Sequence, residues 1–66
     1  MLVTIKTSRS EKRVRLTEGA IASDALKTVE LALTHHIMMR EGRPIPSDEK
    51  LSNNDIIEVI EVFSGG

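Results

Sequence analysis

Apolar and polar positions along the chain change period twice. Leu2-Val3-Thr4-Ile5-Lys6-Thr7 is β-branched and roughly alternating, which predicts a strand with Val3 and Ile5 inward. Ser8-Arg9-Ser10-Glu11 reads as a polar turn, and Lys12 to Thr17 alternates again with Val14 and Leu16 inward, so the two runs predict a hairpin. Glu18-Gly19-Ala20 breaks the pattern. Ile21, Ala22, Ala25, Leu26, Val29 and Leu33 then form one stripe of a helix of about three turns, with Ser23 as N-cap and Asp24 at the positive end of the dipole. After Thr34 the period returns to two. His36 to Arg40 is a strand with Ile37 and Met39 on the inner face, followed by a turn at Glu41-Gly42-Arg43-Pro44. Pro46 confines the short piece at Ile45 to an edge, and Ser47 to Asn54 is a polar loop anchored by Leu51. The strongest strand, Ile56 to Phe63, comes last.

The resulting order is β-β-α-β-(β)-β, an α+β arrangement. Because the last run is apolar on both faces, it belongs in the middle of a sheet, between the first and third strands. One helix then covers one face of a mixed sheet of four to five strands, which is a β-grasp (ubiquitin-like) fold. A ferredoxin-like fold needs a second helix, and residues 47–54 lack the apolar periodicity to supply it. Residues 1–63 are expected to form the domain and residues 64–66 a flexible tail. Alternation puts Val3, Ile5, Ile37, Met39, Ile57 and Val59 toward the helix, and Leu2, Met38, Ile60 and Val62 on the open face. That open face, with Phe63 beside it and Arg40 and Glu58 as a polar rim, is the expected partner surface.

Composition narrows the function classes. With 66 residues the chain is one small domain, and without Cys it has no disulfide, thiolate metal site or Cys nucleophile. Its apolar runs are too short to span a bilayer and its N-terminus does not resemble a signal peptide, so the expected location is the cytoplasm. Charge is unevenly spread. Residues 1–16 carry Lys6, Arg9, Lys12, Arg13 and Arg15 against Glu11, a net +4, and residues 17–66 carry nine acids against four bases, a net −5. A small RNA-binding module using Lys12, Arg13 and Arg15 is the alternative from another class. With Phe63 as the one aromatic residue, bases have no stacking platform, and the alternation of Arg13 and Arg15 with Val14 and Leu16 fits the wet face of a strand.

His35-His36 does not suggest a metal site, because adjacent residues on an extended chain point to opposite faces. No nucleophile motif is present, and a domain this small offers no evident pocket, so an enzyme is not expected. Lys27 and Lys50 read as solubilising surface.

The C-terminal residues Ser64-Gly65-Gly66 carry the chemistry. Two glycines lose the most entropy on ordering and bury nothing, so they add nothing to stability. Without β-carbons, however, they thread a channel that side chains would block. Extended, Ser64 to Gly66 reaches on the order of 10 Å and presents an ionised carboxylate to another protein's active site. A carboxylate becomes electrophilic only once its oxygen is made a leaving group, which adenylation by ATP does.

Gly42-Arg43-Pro44-Ile45-Pro46, Leu51 with Asp55-Ile56-Ile57, and the terminal Gly65-Gly66 together resemble the ubiquitin-like sulfur carriers of the ThiS/MoaD family, and especially the archaeal small modifier proteins. The resemblance spans essentially the whole chain. It implies that an activating enzyme of the ThiF/MoeB type, using ATP and Mg, adenylates Gly66. It further implies that a sulfur donor converts the adenylate to a thiocarboxylate for a sulfur-accepting synthase, or that Gly66 is joined to target-protein lysines. No cofactor is expected on the chain itself. The alternative within the same resemblance is the small subunit of a molybdopterin synthase.

Overall fold

The final strand lies at the centre of the sheet, as its two-sided apolar pattern requires. The computed structural model describes residues 1–31 and 35–62. It contains β1 (Leu2–Lys6), β2 (Glu11–Arg15), α1 (Ala22–Thr28), β3 (His36–Arg40), β4 (Arg43–Ile45) and β5 (Ile56–Glu61). These strands form one five-stranded sheet in the order β2-β1-β5-β3-β4. β1 and β5 run parallel, and the other pairings are antiparallel. One helix against a mixed sheet of this order is the expected β-grasp.

The core lies between α1 and one face of the sheet. Val3, Ile5, Ile57 and Val59 enter it from β1 and β5, Ala22, Ala25 and Leu26 from the helix, and Leu16, Ala20 and Leu51 from the connections. Leu51 anchors the polar loop as its isolated apolar character suggests, and its N–H donates to the Ala20 carbonyl at 3.0 Å. The β3–β4 hairpin closes through Glu41 and Gly42 at φ 54° and 77°. Both central residues at positive φ make the twist-compatible two-residue turn, and Gly42 takes its position without steric cost.

The helix starts and stops differently from its stripe. Ile21, not Ser23, is the N-cap, and the Asp24 carboxylate accepts the Ile21 N–H at 3.0 Å. The Ala22 and Ser23 N–H groups donate to the carbonyls of Glu49 and Ser47 at 2.8 and 2.9 Å. The loop therefore caps the helix, a long-range interaction that local spacing does not encode. At the other end Glu30 adopts φ 60°, the Leu31 N–H donates to the Leu26 carbonyl at 2.9 Å and the Glu30 N–H to the Lys27 carbonyl at 3.1 Å. That is a Schellman ending, and Leu31 folds back half-buried against the core. The helix thus spans seven residues rather than three turns. Leu33, the last residue of the predicted stripe, lies outside the described residues.

β3 carries a second correction. Met38, expected on the open face, is 4% exposed in the core, whereas Ile37, expected inside, is 44% exposed. Met39 is half-buried on the same face as Ile37. Every inner residue of His36-Ile37-Met38-Met39-Arg40 is apolar, so alternation within the segment cannot choose a face. Pairing chooses it: Met38 stands opposite the buried Val59, and Ile37 opposite the exposed Ile60.

Candidate docking surface

The open face of the sheet is built from alternate residues of its three inner strands. β1 contributes Leu2, Thr4 and Lys6, β5 contributes Ile56, Glu58 and Ile60, and β3 contributes Ile37 and Met39. Register sets their neighbours. Thr4 pairs with Ile56, Lys6 and Met39 flank Glu58 from either side, and Ile37 pairs with Ile60. Glu58 therefore divides the face into an apolar end at Leu2 and Ile56 and another at Ile37 and Ile60.

Leu2, Ile60 and Val62 are exposed, as the alternation predicts. Met38 is withdrawn from this surface and Ile37 replaces it. Exposed Ile56 also belongs to the face and was missed, although it shares the parity of Ile60 and was legible on that ground. Ile37 was not legible, because its face depends on the register with β5.

Arg40 leaves the expected rim as well. It has the parity of Met38, and its guanidinium donates to Glu49, to the Asp55 carboxylate at 3.2 Å and to the Lys50 carbonyl at 3.2 Å. It ties β3 to the loop that caps α1. Glu58 remains exposed at the centre of the face.

The second apolar end lies beside the C-terminus of β5. The Val62 N–H donates to the His35 carbonyl at 2.8 Å, which holds the chain against the start of β3 four residues before Gly66. Phe63, Ser64, Gly65 and Gly66 lie outside the described residues.

On the helix side, a cleft of about 670 Å³ is lined by Ile5, Val29 and Val59 together with Arg9, Lys12 and His36. The expectation that a domain this small offers no evident pocket is corrected here. His36 Nε2 lies 3.9 Å from the Glu61 carboxylate. Among the described residues, no group of three or more His, Asp or Glu is arranged to hold a metal ion, and no helix is long and apolar enough to cross a membrane.

Solved structures of other proteins share this architecture. The chain is similar over 100% of its length, and 100% of the other chain, to SAMP1 from Haloferax volcanii, with a TM-score of 0.78 and 20% sequence identity. It is similar over 98% of its length to all of a ubiquitin-like protein from the hyperthermophilic archaea Caldiarchaeum subterraneum, with a TM-score of 0.64 and 14% identity. These likenesses establish the ubiquitin-like β-grasp fold. No protein-family model matches the chain, and no curated protein matches it in sequence.

Proposed function

We propose that this chain is a ubiquitin-like protein modifier and sulfur carrier that acts through the carboxyl group of Gly66. One observation carries the reading: a full-length ubiquitin-like fold whose central strand leads directly to Ser64-Gly65-Gly66. In this reading the chain is the substrate of an ATP-dependent activating enzyme and performs no catalysis itself. A Gly66 carboxylate oxygen attacks the α-phosphorus of ATP, pyrophosphate departs, and the carboxyl carbon becomes electrophilic in the acyl-adenylate. A hydrosulfide-level sulfur nucleophile then displaces AMP to give the thiocarboxylate. A lysine amine displacing AMP, with loss of a proton, gives an isopeptide instead.

The open face supplies the docking surface. Ile37, Ile60 and Val62 form an exposed apolar group beside the strand end, so a partner bound there receives the tail. Glycines at the last two positions suit passage through a narrow channel.

The test is pyrophosphate exchange by the cognate activating enzyme with the full chain and with a chain lacking Gly66. Exchange is expected only with the former, and equal exchange with both overturns the reading. Intact-mass measurement of the protein recovered from its own cells distinguishes the two fates of Gly66, thiocarboxylate or isopeptide.

A further inference from the structure

The two edges of the sheet are not equivalent. β4 is three residues long and contains Pro44, which has no N–H to offer another strand. β2 has five residues and no proline, and no other strand pairs with its outer side among the described residues.

The ladder shows which backbone groups this edge presents. The Leu16 N–H donates to the Met1 carbonyl at 2.8 Å and the Met1 amino group donates to the Leu16 carbonyl at 2.7 Å. Hydrogen-bonded and non-bonded pairs alternate along an antiparallel ladder, so the pairs Val3–Val14 and Ile5–Lys12 are bonded as well. Arg13 and Arg15 fall at the non-bonded positions opposite Thr4 and Leu2. Their N–H and C=O groups therefore point outward, away from β1.

The side chains at the same two positions are exposed and form no ion pair among the described residues, whereas Lys6 has Glu11 at 3.7 Å. Backbone hydrogen-bonding capacity and unneutralised positive charge thus coincide at Arg13 and Arg15.

We infer that the β2 edge accepts an extended acidic segment of a partner protein as a sixth strand. Its carboxylates would align with Arg13 and Arg15 on the open face, and its alternate apolar residues would meet Val14 on the other. Charge selects this occupant. Antiparallel self-pairing centred on Val14 sets Arg13 opposite Arg15 at both ends, and centring on Arg13 sets that residue against itself, so like charges meet directly in both registers and oppose pairing. An acidic strand gains from the same geometry through main-chain bonds and charge together. The inference is independent of the fate of Gly66.

The experiment uses the full chain and a short capped peptide of alternating valine and glutamate, read by amide hydrogen exchange and NMR shifts. Slowed exchange at Arg13 and Arg15, with little change at the already bonded Lys12 and Val14, is the expected result. The double variant Arg13→Glu/Arg15→Glu should lose roughly tenfold or more in affinity while remaining folded. Arg13→Pro, which removes an outward N–H and no ladder bond, should weaken binding more than Arg13→Ala. Equal binding by Arg13→Pro and Arg13→Ala, or no protection of the two arginine amides, overturns the proposal. So does a response to an oligouridylate in place of the peptide, which would assign this edge to nucleic acid.

Discussion

Ile37 stands directly opposite Ile60 across the antiparallel β3–β5 ladder, and both side chains are exposed, at 44% and 47%. The adjacent pair, Met38 and Val59, points through the sheet into the core. One step of register separates an exposed apolar pair, the proposed docking surface, from the hydrophobic core.

That relationship predicts opposite outcomes for neighbouring residues. Met38→Ala should destabilise the protein by about 2–5 kcal/mol, because it empties a core position. Ile37→Ala should cost less than about 1 kcal/mol, since it removes little buried surface. Chemical denaturation of both variants checks this. Equal losses would return Ile37 to the core.

Binding should follow the reverse order. Ile60→Asp and Ile37→Asp are both expected to weaken association with the activating enzyme while the domain stays folded, because each places a charge in the same exposed cross-strand pair. Titration calorimetry with the cognate enzyme, alongside circular dichroism of the free protein, reads both effects. Undiminished binding by folded variants would move the docking surface off this face.

At the start of α1, Asp24→Ala should destabilise by about 1 kcal/mol through loss of the acceptor for the Ile21 N–H. Ser23→Ala should be nearly neutral, since Ser23 is inside the helix and its N–H is bound to Ser47 through the backbone. A larger effect at Ser23 than at Asp24 in thermal denaturation would restore Ser23 as the cap.

At the other end, Glu30 holds φ 60° in the Schellman ending. Glycine pays no β-carbon penalty in that conformation, so Glu30→Gly should stabilise the protein by about 0.5–1 kcal/mol despite the greater freedom of its unfolded chain. A lower melting temperature for Glu30→Gly would show that the Glu30 side chain contributes more than its backbone strain costs.

The element order, the central place of Ile56–Glu61 and the inward set Val3, Ile5, Ile57 and Val59 were determined by the sequence alone. Their reason is local: β-branched alternation fixes a face, and an apolar run on both sides needs neighbours on both edges. The reading of the Gly65-Gly66 end remains a proposal that rests on the sequence alone, since it turns on the absence of side chains.

Tertiary structure decided the face of β3, the length of α1 and the role of Arg40. The five residues of β3 give no internal parity signal, so pairing with β5 had to orient Met38. The apolar stripe of α1 continues past Thr28, but Glu30 closes the helix and carbonyls of residues 47 and 49 open it. Arg40 sits on a strand that suggests a solvent rim, yet Glu49 and Asp55, distant in sequence, draw it toward the capping loop. Each of these outcomes rests on a partner several to many residues away, and no local period carries that information.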